Sequence, residues 1–511
     1  MGFKTITVKV PTDYTDEMLR KSISKELHIK QFSFQIENKS LDARNKSAIH
    51  WLLSVGVFSE EIKGAIQSEK ELLSIPNIGK EKEVVVVGNG PAGFFCAYVL
   101  QKAGFKVIMI DRGSEVEKRS KGIEQFEQDG VFNPLGNYAF GEGGAGTFSD
   151  GKLTSRSKHI SIEKQFILSS YVEAGAPREI EYMAHPHLGT DNLKKIVKNL
   201  RLAFQKLGGT MTFETTLTDI RVKDGRVEEV ITDKGSYSPV AVFIAPGHSA
   251  YETYRMLLRR GVAFRTKNFA LGSRMEHQQD VINIAQWGKP RLPGVKAAEY
   301  RLTSAGDGKH QVYSFCMCPG GMVVPATAYE DTNIVNGMSY FKRDGHFANA
   351  ACVAGIHPDV LASKSVSPLE ALDLVEQLER KFFSLTQKYA APACNIRDFI
   401  DQKLRTKKME SSYPLGVEPL PLWQFLPESV TQAMKAGLLD FDRKMQAFTT
   451  GNLLGLESKT SSPIQVLREE GGRCVGFTNL FMMGEGSGYA GGIISSAADG
   501  VRTALHFVSQ A

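Results

Sequence analysis

Cysteine is scarce in this sequence, and long apolar runs are missing. The six cysteines are scattered through 511 residues, which indicates reduced thiols rather than a disulfide framework. No run reaches the roughly 18 apolar residues of a membrane helix. The first residues, MGFKTITVKV, lack the apolar core of a secretory signal. We therefore expect a soluble cytoplasmic protein without membrane attachment.

Basic and acidic residues are nearly balanced in number. The 62 basic and 56 acidic residues leave a net charge of +6, which is small for a chain of 511 residues. This balance gives no case for a nucleic-acid-binding surface. The 42% hydrophobic and 23% charged fractions are ordinary for a globular protein, and the length allows two or three domains.

What the sequence does contain is a strand–turn–helix–strand unit over residues 83–111. A valine run predicts a buried strand, and Gly88, Gly90 and Gly93 follow it with the G-x-G-x-x-G spacing. Gly88 allows a tight turn, Gly90 lets a pyrophosphate approach the backbone, and Gly93 lets helix and strand pack closely. The second strand ends at Asp111, whose carboxylate can accept hydrogen bonds from a ribose diol. The unit predicts that the chain binds an adenine dinucleotide.

A second glycine-rich segment, FGEGGAGTFSDGKL, occupies residues 140–153. Five of its fourteen residues are glycine, so neither a core strand nor a stable helix is expected. Exposed backbone N–H groups, together with Thr147, Ser149 and Lys152, suit the pyrophosphate of a dinucleotide. A flexible surface loop is the alternative, but the position directly after the dinucleotide unit favours a cofactor loop. Residues 480–508 repeat the pattern of strand, glycine turn and helix.

The rest of the chain divides into regions by its pattern. Residues 1–80 read as βαββα, which predicts a small N-terminal α+β domain. Residues 81–250 and 446–511 are predicted to form a discontinuous dinucleotide-binding domain. Residues 251–445 are predicted to be an inserted mixed α/β substrate domain, because strand-like and helical patterns alternate there without a second G-x-G-x-x-G.

Within these regions the pattern makes several local predictions. They are a solvated loop at 39–46, a helix at 60–73, and a helix capped by Thr190 or Asp191. An apolar strand that stops at Pro246 is predicted to return the chain to the dinucleotide-binding sheet.

Four segments carry a resemblance to a known family: VVVVGNGPAG (84–93), GEGGAGTFSDGKL (141–153), SFCMCPGGMVVPA (314–326) and MGEGSGYAGGIISSAADG (483–500). In these segments the chain resembles the FAD-dependent dehydrogenases of the glutathione-reductase-like flavoprotein superfamily. It is most similar to a bacterial branch of NAD(P)/FAD-dependent oxidoreductases with an extra N-terminal domain. Superfamily members usually have Ala-Thr-Gly where this chain has Ala245-Pro246-Gly247.

The resemblance implies an α/β fold. Its parts would be a Rossmann-like FAD-binding domain of three layers (ββα), an inserted mixed α+β substrate domain, and the small N-terminal α+β domain. It also implies FAD as the cofactor, with NAD(P)H as a transient electron donor or acceptor.

The residues implied for FAD binding lie in the glycine-rich segments and at strand ends. They are Gly88, Gly90, Pro91, Ala92, Gly93, Asp111, Arg112, Gly143, Gly144, Thr147, Ser149, Leu217, Gly247, Gly484, Glu485, Gly491, Gly492 and Ile493. The helix that begins near Ile493 is expected to point its N-terminus at the flavin ring, where it stabilises the reduced anion.

Five residues are candidates for catalysis. His187 could act as acid or base, although a loop histidine held by a hydrogen bond fits its position equally well. Arg274 could clamp a substrate carboxylate, with His277 three positions on. Cys316 and Cys318 form a C-x-C pair. For these two, packing is favoured over a dithiol relay because regular strand spacing sets their Cα atoms about 6.6–6.8 Å apart. No metal site is predicted.

The predicted function is that of an FAD-dependent oxidoreductase. It would act as a dehydrogenase or reductase that moves a hydride between flavin N5 and an unidentified small organic substrate. A flavin monooxygenase is the alternative enzyme. An alternative of another class is an RNA-binding or RNA-modifying flavoprotein, against which residues 1–80 lack an RNP-like aromatic motif.

Overall fold

The computed structural model of the protein describes residues 2–64, 71–79, 81–155 and 157–511. The helices of these residues are α1 (Asp16–Leu27), α2 (Pro91–Lys102), α3 (Val116–Asp129), α4 (Ser161–Glu173), α5 (Gly189–Lys206), α6 (Tyr251–Arg259), α7 (Gln279–Trp287), α8 (Pro358–Ala362), α9 (Pro368–Ser384), α10 (Ile396–Asp401), α11 (Glu428–Lys444) and α12 (Ile493–Gln510).

The strands of the same residues are β1 (Gly2–Val10), β2 (Ser33–Asp42), β3 (His50–Ser59), β4 (Glu83–Val87), β5 (Lys106–Ile110), β6 (Thr210–Thr212), β7 (Leu217–Lys223), β8 (Arg226–Thr232), β9 (Gly235–Tyr237), β10 (Ala241–Ile244), β11 (Phe264–Thr266), β12 (Phe269–Gln278), β13 (Thr303–Ser304), β14 (Val312–Pro325), β15 (Val335–Ser339), β16 (Phe347–Ile356), β17 (Ala391–Asn395), β18 (Val417–Pro419), β19 (Asn452–Glu457), β20 (Ile464–Val466) and β21 (Leu480–Met482).

The strand of the first glycine turn, β4, is the central strand of a five-stranded parallel sheet in the order β21-β10-β4-β5-β6. Val84 and Val86 pack into a core with α2 and α12, whereas Val85 and Val87 pack into a core with β7 and β8. Because successive side chains of a strand point to opposite faces, the unbroken valine run matches a strand covered on both sides. The predicted return of the chain to this sheet is confirmed, since β10 pairs with β4.

A second, larger sheet forms from the middle of the chain. Its eight strands run in the order β13-β14-β16-β12-β19-β17-β18, and β15 pairs with β14 outside this path. The helices α7, α9, α10 and α11 pack against it through a large apolar core. The strand β19 pairs with β12 and β17, so the sheet continues past residue 445, where the sequence pattern places the end of the substrate domain. The domain boundaries themselves stay a prediction.

The N-terminal unit is a three-stranded antiparallel sheet, β1-β3-β2, covered by α1. The helix begins after Thr15, whose side chain accepts a hydrogen bond from the Met18 N–H, as the sequence pattern predicts. Its buried residues Leu19 and Ile23 join the apolar core below the sheet.

The predicted loop at 39–46 is wrong for its first four residues, which continue the edge strand β2. The backbone of Lys39 also bonds outside this sheet, donating to the Tyr182 carbonyl and accepting from the Ala184 N–H. A segment of charged and apolar residues in alternation can form such an edge strand, because the backbone rather than the side chains makes the hydrogen bonds between strands. The predicted helix at 60–73 is wrong for residues 60–64 and 71–73, which are turn or irregular structure, and residues 65–70 lie outside the described ranges.

The start of α5 also differs from its prediction. Leu188 is the residue before the helix, and no side chain in the described structure caps the first turn. Thr190 instead donates to the Thr147 carbonyl, and Asp191 accepts from the Phe341 N–H. Both side chains that the sequence pattern assigned to capping the helix therefore bond to distant residues instead.

No helix among the described residues is long and apolar enough to span a membrane.

We expect the Gly500→Ala variant to unfold more easily by about 1–3 kcal/mol. A Cβ at Gly500, in α12, would overlap the backbone carbonyl of Ala92 in α2, and backbone cannot move aside as a side chain can. Urea denaturation measures the change. Gly355→Ala is the control, since its Cβ would lie 3.8 Å from the nearest atom. Equal stability of both variants would contradict the close packing of α2 and α12.

Candidate functional site

Three glycine-rich segments meet at the carboxyl ends of β4, β10 and β21. A Cβ added to Gly90 would lie 3.8 Å from Gly144 Cα, and one added to Gly484 would lie 2.6 Å from Ala92 Cβ. A Cβ on Gly146 would lie 3.1 Å from the Ile493 side chain. The structure thus brings together segments that are far apart in the chain, at the sheet edge where ligands of open parallel sheets bind.

Two helices begin at this edge without a side-chain cap in the described structure. Gly90 precedes α2 and Gly492 precedes α12, and neither residue has a side chain that could accept from the first turn. Their free N–H groups and positive dipole ends favour negative charge. A partly open pocket lies beside them, lined by polar backbone and by apolar side chains. Its lining includes Asn89, Gly90, Pro91, Gly143, Thr147 and Ile493.

The loop at 140–153 is held in place by the buried side chain of Arg119. Its guanidinium donates to four backbone carbonyls, those of Asn137, Tyr138, Glu142 and Gly144, at 2.8–2.9 Å. The short 3₁₀ helix Ala145–Phe148 follows. Because each carbonyl would otherwise be free to turn, Arg119 fixes the backbone path of this loop. The expectation of exposed N–H groups is wrong for Gly143 and Gly144, which donate to the Asn89 and Gly141 carbonyls.

Asp111 links the first two glycine-rich segments. Its carboxylate accepts from the backbone N–H groups of Asn89 (2.7 Å), Gly113 (2.8 Å) and Gly141 (3.0 Å). Burial raises the pKa of Asp111 despite these bonds. The carboxylate predicted to bind a ribose thus holds the first glycine turn and the loop at 140–153 together.

Other residues of the predicted cofactor set make contacts within the protein. Arg112 lies over the ring of Phe140 and pairs with Glu252 at 3.1 Å. Ser149 Oγ donates to the Gly146 carbonyl, and Leu217 is buried under the parallel sheet.

The turn after β10 carries a residue that the sequence pattern did not single out. His248 Nδ1 lies 3.1 Å from Glu485 Oε1, while its Nε2 is buried without a partner among the described residues. The Tyr254 hydroxyl lies within hydrogen-bond distance of the Gly247 and Gly486 carbonyls and joins the same two turns. The only sequence signal for His248 is its place directly after a buried strand and a Pro-Gly stop.

A charged cluster continues from the loop at 140–153. Arg343 Nε donates to Asp150 at 3.0 Å, and Lys152 Nζ lies 2.7 Å from Glu299. His185 Nδ1 is 2.9 Å from the other oxygen of Glu299. Although burial opposes it, Arg343 and Lys152 hold the pKa of Asp150 well below its usual range. These partners are separated by more than a hundred residues, so no local pattern reveals them.

Comparison with known proteins identifies the cofactor. Residues 81–235 match the model of an FAD binding domain, and residues 268–460 match the model of an FAD-dependent protein, C-terminal domain-like. A relative from Clostridium beijerinckii, described only as an uncharacterized protein, is 38% identical over 532 aligned positions. The alignment covers 100% of this chain and 99% of the relative.

The chain belongs to a family of FAD-dependent oxidoreductases.

Similar solved structures are more distant. L-proline dehydrogenase from P. horikoshii is 11% identical with a TM-score of 0.36, covering 85% of this chain and 95% of that one. Glycine oxidase from Bacillus cereus is 11% identical with a TM-score of 0.32, covering 84% of this chain and 95% of that one. At these scores neither structure informs the chemistry of the present flavoprotein.

The residues at the sheet edge fit FAD. Gly90 has ordinary extended backbone angles and room for a Cβ within the protein, so glycine is not required there by the fold alone. A dinucleotide supplies the reason, because its pyrophosphate must approach the backbone at this point. The uncapped starts of α2 and α12 and the unpartnered Nε2 of His248 are further groups that a bound flavin nucleotide would satisfy.

His187 lies near the charged cluster of the flavoprotein, but its environment disfavours a charge. Its Nε2 lies 3.1 Å from the Phe341 carbonyl and 3.5 Å from Lys296 Nζ. Burial and the nearby Arg343 lower the pKa of His187 to about 3. At neutral pH the ring is therefore uncharged.

Arg274 and His277 lie in the large sheet and are not brought beside His187. All five N–H donors of Arg274 have partners, among them Asn349, Asn336, Glu457 and the Cys316 carbonyl. No donor is left for a substrate carboxylate in this arrangement. The buried ring of His277 contacts Phe448, and burial lowers its pKa to about 4. Cys316 and Cys318 adjoin Arg274 on the next strand but one.

We expect Gly90→Ala to weaken FAD binding about tenfold or more while leaving the fold intact. The added methyl group fits within the protein but would fill the space that the pyrophosphate needs. Equilibrium dialysis of the apoprotein against FAD gives the affinity, and thermal unfolding without FAD checks the fold. Gly355→Ala serves as the matched control. Unchanged FAD affinity in Gly90→Ala would place the pyrophosphate elsewhere.

Proposed function

We propose that the protein is an FAD-dependent dehydrogenase of the glutathione-reductase-like type. It would move a hydride between a small organic substrate and N5 of the flavin. The observation that carries this proposal is the meeting of two uncapped helix starts, those of α2 and α12, with the glycine-rich loop at one edge of the parallel sheet. One positive helix end suits a pyrophosphate, and a second suits a flavin ring that gains negative charge on reduction.

FAD would supply the two-electron chemistry, and the chain supplies binding, orientation and proton transfer. The first turn of α2, with Ala92 and Gly93, would donate to the pyrophosphate. Glu485, oriented by His248 at 3.1 Å, would accept from hydroxyl groups of the ribityl chain. The start of α12 would face the pyrimidine edge of the ring.

The substrate would lie between the two sheets. The charged cluster joins Asp150 and Lys152 of the loop at 140–153 to Glu299 and Arg343 of the middle region, so both regions form its walls. On this basis residues 81–250 and 446–511 would form the FAD-binding domain, with β19 added to the substrate domain at 251–445. Residues 1–80 would form the N-terminal domain.

His185, rather than His187, is the imidazole suited to exchange a proton with the substrate. It is the more exposed of the two, and its hydrogen bond with Glu299 raises its pKa. A base whose pKa is raised by such a partner has a greater proton affinity than a free imidazole. His187, with a pKa of about 3, holds a proton too weakly for this role.

A flavin spectrum with anaerobic reduction tests the proposed function. Protein purified without added cofactor is expected to show flavin absorption bands, which NADH or NADPH bleaches under argon in a nicotinamide-linked dehydrogenase. Bands that persist with both nucleotides point to a donor on the substrate side. Oxidation of NAD(P)H that requires O₂ and inserts oxygen into a product would establish the monooxygenase alternative. A colourless protein that cannot be reconstituted with FAD would refute the proposal.

We expect His185→Gln to remove one limb of the pH profile of substrate oxidation. Below the raised pKa of His185 the ring is protonated and cannot accept a proton, so wild-type kcat/KM should fall as pH decreases through that pKa. His346→Gln, at an exposed position, is the control. Stopped-flow reduction of the flavin by substrate, followed from pH 5 to pH 9, supplies the rates. An unaltered acid limb in His185→Gln would assign the base to another group.

A further inference from the structure

The turn after β10 packs directly against the turn after β21. A Cβ added to Gly486 would lie 2.7 Å from the Gly247 carbonyl oxygen, so the two turns are in backbone contact. The Tyr254 hydroxyl lies 2.7 Å from the Gly247 oxygen and 2.9 Å from the Gly486 oxygen. His248, the residue after Gly247, is therefore held against the turn that carries Glu485.

The same two turns adjoin the start of α2, where the pyrophosphate of FAD is expected. A Cβ at Gly484 would lie 2.6 Å from Ala92 Cβ, in the first turn of α2. A Cβ at Gly88 would lie 2.2 Å from the Ala245 carbonyl oxygen. These close approaches connect the turns after β4, β10 and β21. His248 is thus a neighbour of the phosphate-binding helix start, although a long stretch of chain separates the two.

One ring nitrogen of His248 faces a carboxylate, and the other has no partner. Nδ1 lies 3.1 Å from Glu485 Oε1. The residue is 8% exposed, and its Nε2 is buried without a hydrogen-bond partner among the described residues. A buried polar atom of this kind is unfavourable unless a ligand or a water molecule satisfies it. Because the ring lies beside the expected place of the pyrophosphate, a phosphate oxygen is the partner that fits.

Two further titratable groups face Glu485 from neighbouring elements. Tyr254, on α6, stays protonated because burial and Glu485 raise the pKa of its hydroxyl. Lys267, which follows β11, donates to the Gly488 carbonyl at 2.8 Å, and burial lowers the pKa of its ammonium although Glu485 opposes the shift. Among these residue types, histidine is the one whose charge ordinarily changes between pH 5 and pH 8.

We propose that His248 is a cofactor-binding residue whose imidazolium contacts a phosphate oxygen of FAD through Nε2 and Glu485 through Nδ1. An anion on each side favours the protonated ring in the complex, whereas the FAD-free protein offers only one of the two anions. FAD binding therefore takes up a proton from solvent, and FAD release returns it. Because binding and protonation are linked, the affinity for FAD decreases as pH rises. This inference rests on FAD binding and not on the proposed hydride transfer.

The proton uptake is measured by isothermal titration of the apoprotein with FAD in two buffers of different ionisation enthalpy. At pH 8 the wild-type protein is expected to take up roughly half to one proton per FAD, and its dissociation constant should rise up to about tenfold per pH unit above neutrality. His248→Asn keeps an amide near the Nδ1 position but has no atom at Nε2. It should lose this uptake and bind FAD at least about tenfold more weakly at pH 6.

Three further variants assign the proton. His248→Gln, with an uncharged amide near the Nε2 position, should bind FAD more tightly than His248→Asn but without the uptake. His346→Asn, at an exposed histidine, and Lys267→Gln should both retain it. Thermal unfolding of each apoprotein checks the fold. Uptake that persists in His248→Asn, or that disappears in Lys267→Gln, would overturn the proposal.

Failure of this inference is distinguishable from failure of the proposed function. A protein that takes up the proton with FAD, but whose flavin accepts no electrons from any donor, would refute the dehydrogenase and support the role of His248. A flavin that is reduced by substrate, but binds to the wild-type protein without proton uptake, would refute the role of His248 alone. A protein that binds no FAD would refute both.

Discussion

The site depends on backbone-to-backbone contacts that only glycine permits. A Cβ at Gly88 would overlap the Ala245 carbonyl, one at Gly93 the Gly88 carbonyl, and one at Gly500 the Ala92 carbonyl. These contacts bring β4 against β10, α2 against β4, and α12 against α2. Because the helices approach so closely, two positive helix ends share one edge of the sheet. The two positive helix ends repel each other when no ligand is bound. The packing that forms the site therefore also favours the binding of a negatively charged group there.

Buried arginines fix the conformation of the loop at 140–153, which its glycines leave free. A glycine-rich loop has large conformational freedom, and fixing it costs about 1–2 kcal/mol per residue in entropy. Arg119 offsets part of that cost through bonds to four carbonyls, and Arg343 holds the far end of the loop through Asp150. The cost is met during folding rather than during cofactor binding, which leaves more of the binding energy for affinity.

The sequence pattern predicted correctly the elements whose stabilising contacts are local in the chain. The unit at 83–111 and the capped helix α1 lie where periodicity and spacing place them, because their strands, turn and cap involve residues near in sequence. The partners of Arg274 could not be predicted, since Glu457 and the Cys316 carbonyl reach it only through the pairing of a long antiparallel sheet. The same holds for His185 and His187. They are two positions apart, yet one bonds to Glu299 and the other is buried against the Phe341 carbonyl.

The N-terminal unit is physically continuous with this cluster. The strand β2 is an edge strand, and its Lys39 backbone pairs with the segment at 182–184 instead of facing solvent. The Lys39 side chain lies over the rings of Trp51 and Tyr14, which fixes it to the N-terminal core. His185 follows this paired segment directly, so its direction toward Glu299 depends on backbone bonds to another part of the fold. A unit with no glycine-rich turn of its own thereby contributes to the position of an ionisable group beside the flavin domain.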